Sequence, residues 1–236
     1  MNDNSVAFLV PSTTRYRDWK TAEDTYLWNV FCKSLDRNCP DLPISLFIGY
    51  DHDDEIYSQD NERLKFNATW MKFNIIWIPQ KVEKGNVVSI WNNLYKVARH
   101  HDFQWFQVCG DDIRFPNDRA WLRLFQKQLI NQDYIGWAAG WSNNDQIATQ
   151  FLIHKTHWEI FEFIFPPQLK NYYCDDFMNE VYPQKYKYWR RDYPLINAGG
   201  LPRYHPEEHR QLCSMLVRRY KKDLIDFLNL INKNKK

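Results

Sequence analysis

The sequence has no C-x-x-C pair, and its five cysteines (Cys32, Cys39, Cys109, Cys174 and Cys213) make an odd count. That argues against a zinc ribbon and against a disulfide framework, and it suits a reducing compartment. Long hydrophobic runs are also missing. The longest early one, VAFLV at Val6–Val10, is too short for a signal-peptide core and far too short to cross a bilayer. The expectation is a soluble, cytoplasmic chain with no integral membrane segment, in which the lone sequon at Asn67 goes unused. Charge of one sign is not in surplus: 31 basic residues face 29 acidic ones, a net +2, which gives no reason to invoke a nucleic-acid partner. Neither an internal repeat nor a linker rich in Pro, Gly or Ser divides the chain.

Apolar and aromatic side chains are abundant. Hydrophobic residues make up 44% and aromatics 17% of 236 residues, including 11 Trp. Such a chain can bury a full core. One compact unit over residues 1–236 is expected, with a first half to about residue 115 and a second half from there to the C-terminus.

Periodicity gives the fold class. SVAFLV (5–10), ISLFIGY (44–50), IIWI (75–78) and FQWFQV (103–108) read as four strands, the first stopped at Pro11 and the third cut by Pro79. Helical spacing joins 18–35, about 61–73, and a clear amphipathic stretch from Val87 to Ala98 with Asn86 as its N-cap. Strands alternating with helices predict an α/β protein with a mostly parallel, doubly wound central sheet. Beyond it, a helix from Asp118 to Leu129, strands in IGWAAGW and QIATQFLIH joined by a turn at SNND, a helix over THWEIFEFIF, a short helix in CDDFMNEVY and a final helix from about Pro206 to Leu230 are expected.

In such sheets ligands bind beyond the carboxyl ends of the strands. Three polar loops fall there. PSTTR carries Pro11, Ser12, Thr13 and Arg15, a set of hydroxyls, amides and a guanidinium suited to a base, ribose or phosphate. DHDDE supplies Asp51 and Asp53 as acceptors for a ribose hydroxyl or a base imide. The fourth strand ends in GDD. Two carboxylates a few Å apart repel by about 4 kcal/mol at an effective dielectric near 20. A divalent ion, Mn²⁺ or Mg²⁺, relieves that repulsion and prefers such oxygen ligands, often together with phosphate. A solvated turn or a helix cap would explain the pair without a ligand. Asp175 and Asp176 form a second acidic pair at a helix N-terminus, where the dipole favours the ionised form and a general base is feasible, plain N-capping being the alternative. Arg203 in GGLPRYH suits phosphate and His205 a late metal ligand. Trp137 and Trp141 flank a stretch that would suit a sugar face, although core packing explains both.

FLVPSTTR, FIGYDHDDEIY, GNVVSIWNNLYKVARHHDFQWFQVCGDDIRF, NYYCDDFMNEVYP and NAGGLPRY, taken in order, resemble nucleotide-sugar glycosyltransferases of the GT-A fold, and among them small glycosyltransferases of large DNA viruses and protists. The resemblance extends to about residue 205. It implies transfer of a sugar from a nucleotide-sugar donor, a UDP-sugar in this reading, to a hydroxyl of a glycan or other acceptor, with inversion. The family's metal motif is written D-x-D. Here Gly110 stands in the place of its first Asp, so Asp112 is assigned to metal and Asp111 to metal or ribose. The resemblance maps the acceptor base onto Asp175 or Asp176 and the late metal-binding His onto His205. Pro11, Ser12, Thr13, Arg15, Asp51, Asp53, Asn86, Asp111 and Arg203 are counted as donor contacts. Two other functions compete. One is a sugar-phosphate nucleotidyltransferase, which would want a Gly-rich, Lys-bearing phosphate loop where PSTTRYR has no Gly. The other is a binding module that keeps the fold without turnover.

Overall fold

The computed structural model describes residues 4–144, 146–199 and 209–234. Seven strands form the central sheet in the order β3-β2-β1-β4-β7-β6-β8, where β1 is Val6–Ser12, β2 Ile44–Asp51, β3 Asn74–Gln80, β4 Trp105–Val108, β6 Trp137–Gly140, β7 Phe151–His154 and β8 Lys187–Arg190. β1 is parallel to β2 and β4, and β2 to β3. Only β7 runs against its neighbours, being antiparallel to both β4 and β6, while β8 is parallel to β6. A two-stranded ribbon of β5 (Ile113–Arg114) and β9 (Ile196–Asn197) lies beyond β4.

The reason β1 sits at the centre is its composition. Every residue of Val6–Ser12 is buried. Ala7 and Leu9 belong to one core layer, Val6, Phe8 and Val10 to the other, as a continuous apolar run on a sheet covered on both faces requires. The first layer packs α3 (Val87–His100), α5 (Thr156–Phe161), α6 (Cys174–Val181) and α7 (Arg210–Asn234). The second packs α1 (Lys33–Arg37), α2 (Asp60–Thr69) and α4 (Trp121–Asn131). The amide of Ser89 donates to the Asn86 side chain (3.0 Å), so Asn86 caps α3 as its sequence position predicts. No helix among the described residues is long and apolar enough to cross a membrane.

Four expectations need correction. β1 does not stop at Pro11 but runs through it to Ser12. The Leu9 carbonyl faces β4, accepting from Cys109 at 3.4 Å, and the nitrogen two residues on faces the same way, beyond the end of β4 where no ladder bond is asked of it. β3 likewise continues past Pro79 to Gln80, because it is an edge strand. The helix expected over 18–35 is broken. Thr21 and Asp24 form a capping box on one 3-10 turn at Ala22–Asp24, Thr25 is extended, and the chain restarts as a π-helix at Leu27–Cys32 that leads into α1. THWEIFEFIF is helical only to Phe161. Glu162 turns left-handed (φ 62°), and Asn92 of α3 takes the amides of Ile164 and Phe165 and donates to the Phe165 carbonyl, which draws the remaining phenylalanines into the core as irregular, bent chain.

Candidate active site

The carboxyl ends of β1, β2 and β4 meet on one edge of the sheet because the three strands are parallel and in register. The acidic pair after β4 divides there. Asp111 is buried (1% exposed) and accepts a 2.7 Å hydrogen bond from the Ser12 hydroxyl at the end of β1. That hydroxyl also lies 3.2 Å from the buried Tyr57 phenol, whose pKa is pushed up by burial and then by the Asp111 charge. Asp112 is half-buried and packs against two glycines. A Cβ built on Gly199 would fall 1.9 Å from its Oδ2, and one on Gly110 would fall 2.9 Å from Oδ1. Both positions must therefore be glycine for this carboxylate to sit where it does. The Asp112 carbonyl accepts from the amide of Ala198 (2.9 Å), and Asn143 and Asn197 exchange two 2.9 Å hydrogen bonds, which hold that segment against the GDD turn.

PSTTR and DHDDE are tied to each other. Arg15 donates from Nε to Asp51 (2.9 Å) and from its guanidinium to Asp53, whose carboxyl it holds below the usual range. Thr13 donates to Asp51 at 3.0 Å. The acid that sequence reasoning passed over is Asp54, fully buried. It accepts from the Thr14 amide (2.7 Å) and hydroxyl (2.8 Å) and from the amides of Ile56 (3.1 Å) and Tyr57 (2.9 Å). Its bonds to residues two and three ahead are the habit of Asp in a turn, a signal present in D-x-I-Y that would have marked it as structural. Asp51 and Asp53 are left at the rim, partnered by Arg15 rather than enclosed.

The second acidic pair divides as well. Both acids lie in the first turn of α6, after Tyr173 in a left-handed conformation. Asp176 is 3.1 Å from Arg210 of α7, which also meets Glu180 at 3.0 Å. Among the described residues no such cation pairs with Asp175: its Oδ1 accepts from the Asp176 amide (3.1 Å), and burial, followed by the Asp176 charge, pushes its pKa up to about 6. A carboxyl near 6 is well placed to take a proton at neutral pH. Asn86 caps its helix at the start of α3, where Trp91 reaches the Cys109 carbonyl (3.4 Å) beside GDD. Trp137 is buried with its indole on the Met178 carbonyl (3.0 Å), a core residue. Arg203 and His205 lie outside the described residues.

No group of three His, Cys, Asp or Glu side chains is gathered for a metal ion among the described residues. The donor set fits a hard cation in a more open way. Asp112 is one carboxylate oxygen donor in a cradle that a Cβ would fill, with Asp111 adjacent in sequence, and Mg²⁺ or Mn²⁺ takes one or two carboxylates when phosphate and water supply the rest.

No protein-family model and no curated protein matches the chain in sequence. Solved structures do match in fold. The S. aureus protein TarS, residues 1–349, is 12% identical with a TM-score of 0.54 over 81% of this chain and 60% of its own, and has also been solved with UDP. The mannosyltransferase PcManGT from Pyrobaculum calidifontis, solved with GDP-Man and Mn²⁺, is 11% identical with a TM-score of 0.57 over 86% of this chain and 59% of its own. A cytidylyltransferase from Leptospira borgpetersenii is 12% identical with a TM-score of 0.50, and the match covers 98% of this chain and 95% of that one. The chain thus spans about three fifths of the length of TarS 1–349 and of the mannosyltransferase. The class these likenesses define is the fold: a GT-A-like α/β protein with a seven-stranded, mostly parallel sheet flanked by helices.

Proposed function

We propose that the chain is a divalent-metal-dependent glycosyltransferase that moves a sugar from a nucleotide-sugar donor, a UDP-sugar, to a hydroxyl acceptor with inversion. The observation that carries this reading is the division of the GDD pair: one acid is turned inward onto Ser12, and the other is presented between two glycines at the carboxyl edge of the sheet. Fold likeness to TarS, solved with UDP, and to a mannosyltransferase solved with GDP-Man and Mn²⁺ supports it.

In this reading Asp112 holds the ion, with Asp111 behind it. A bound Mn²⁺ or Mg²⁺ supplies positive charge to the departing diphosphate. Thr13, Arg15, Asp51 and Asp53 form the rim against which the nucleotide lies, and the Asp51 carboxylate accepts from ribose or base. Asp175 accepts the proton of the acceptor hydroxyl as that oxygen bonds to the anomeric carbon and the bond to the diphosphate breaks. Asp176, occupied by Arg210, orients the helix end and leaves the base role to its neighbour.

A thermal-shift screen of nucleotide sugars with and without Mn²⁺ tests the reading. A rise with one nucleotide sugar that requires the ion supports it, and no response to any of them counts against it. The near-complete mutual coverage with a cytidylyltransferase favours one second reading, a sugar-phosphate nucleotidyltransferase. The PSTTRYR loop, with neither Gly nor Lys, argues the other way. Pyrophosphate release from nucleoside triphosphate plus sugar phosphate would decide for the second reading.

A further inference from the structure

The two acidic pairs lie on separate elements, one after a strand and one on a helix, yet side-chain hydrogen bonds at either end of the short segment 148–150 join them. Asn179 sits one turn after Asp175 on α6. Its Oδ1 accepts from the Ala148 amide (3.1 Å), and its Nδ2 donates to the Ala148 carbonyl (2.7 Å) and to the Asp175 carbonyl (2.8 Å). One side-chain amide thereby grips both polar groups of a buried residue, as a neighbouring strand would, and braces the turn that carries Asp175. Two residues on, the buried Gln150 accepts from the Gly110 amide through Oε1 (3.1 Å). Gly110 is the residue before Asp111 and the one whose missing Cβ leaves room for the Asp112 carboxylate. Phe151, next after Gln150, begins β7 and pairs with Val108 of β4, so the link is anchored to the sheet at its far end.

From this geometry we infer that Asn179 and Gln150 are positioning residues that fix the spacing between the GDD turn and the helix end bearing Asp175. The inference deepens the glycosyltransferase reading, since spacing between a donor-side and an acceptor-side carboxylate is what a single displacement needs. The hydrogen-bonded link itself does not depend on that reading. Segment 148–150 is the connecting rod: Asn179 holds one end, Gln150 the other.

The test uses the whole chain and two readouts. In NMR-detected amide exchange without any ligand, Asn179→Ala should speed exchange at Ala148, and also at Gly110 by about fivefold to tenfold, although Asn179 does not touch Gly110. Gln150→Ala should speed Gly110 and leave Ala148 within about twofold. If Gly110 is unmoved in Asn179→Ala, the coupling is absent and the inference fails. Should either alanine variant not fold, Asn179→Asp, which loses the Nδ2 donor, and Gln150→Leu, which loses the Oε1 acceptor, keep much of the side-chain volume and are scored by the same Gly110 criterion. In transfer assays, Asn179→Ala should lower kcat about tenfold to a hundredfold with donor KM within about threefold. Equal losses in kcat and donor affinity would mean a merely structural role and overturn the positioning assignment. A wild-type chain that neither binds nor uses any nucleotide sugar sinks the glycosyltransferase reading alone, because the exchange result still stands or falls by itself.

Discussion

The dipeptide Asp-Asp occurs three times in this molecule, and the two pairs at 111–112 and 175–176 are treated in opposite ways. After β4 the first acid is withdrawn: Asp111 is buried on the Ser12 hydroxyl, and the half-buried Asp112 packs its carboxylate against Gly110 and Gly199. On α6 the second acid is engaged: Asp176 meets Arg210, and Asp175 is the one whose proton affinity is raised. A neutral hydroxyl holds one retained acid and a cation the other. The lesson is that adjacent carboxylates are rarely equivalent, because the backbone sends consecutive side chains to different surroundings. Asp111 and Asp112 form a turn between β4 and β5, and on a helix consecutive side chains leave about 100° apart.

The comparison is sharpened first by Asp112→Asn against Asp111→Asn. Asp112→Asn should lower transfer about a thousandfold or more and abolish any Mn²⁺-dependent thermal shift, as loss of charge stabilisation at a leaving group would. An Asp112→Asn protein that keeps its metal response would break the proposed division. Next, Asp175→Asn should cost about a hundredfold or more in kcat, the usual worth of a general base, while Asp176→Asn costs less than tenfold. In the wild type the rate should fall as pH drops below about 6, where Asp175 takes up its proton. If the two variants lose equally, or neither loses, the base assignment is wrong.

A third experiment separates site acids from the structural one. Asp54→Ala removes the acceptor of four close hydrogen bonds in a fully buried turn and should destabilise the fold by roughly 3 kcal/mol or more, read as a shifted urea midpoint. Asp53→Ala, at the exposed rim, should leave the midpoint nearly unchanged. The smallest effect has the most informative sign. Asp175 has a higher pKa in the folded chain, about 6, than its ordinary 3.8. Its contribution to stability is therefore fully present below about pH 3.8 and is lost as pH rises through 6. Asp175→Asn should then stabilise the protein at pH 8, by at most about 3 kcal/mol, and have little effect at pH 3. A variant that loses activity while gaining melting temperature at pH 8 only would mark Asp175 as a strained functional group. Destabilisation at pH 8 would mark it as an ordinary cap.

Much of the fold was legible in the residues. The four β1–β4 strands and α3 with its Asn86 cap follow from runs and periods that local sterics enforce. Where the sequence misled, proline was read as a stop although position in the sheet made it harmless, and an apolar run was read as helix although Asn92 of α3 had captured its backbone. β5, β8 and β9 were not foreseen. They are two to four residues long, and their pairing partners lie 50 or more residues away. The candidate site was legible as a set of loops but not as a set of contacts. Asp54, Gln150 and Asn179 gave no sign of their partners 30 to 40 residues distant.

The sequence alone determined that an apolar strand ends in two acids and that a helix opens with two more, since those are matters of run length, period and charge. Only the tertiary structure decided what each acid of the two pairs faces. That choice rests on Ser12 arriving from β1, Arg210 from α7 and Gly199 from beyond β9, and a carboxylate's environment is set by whatever the rest of the chain brings within a few Å of it.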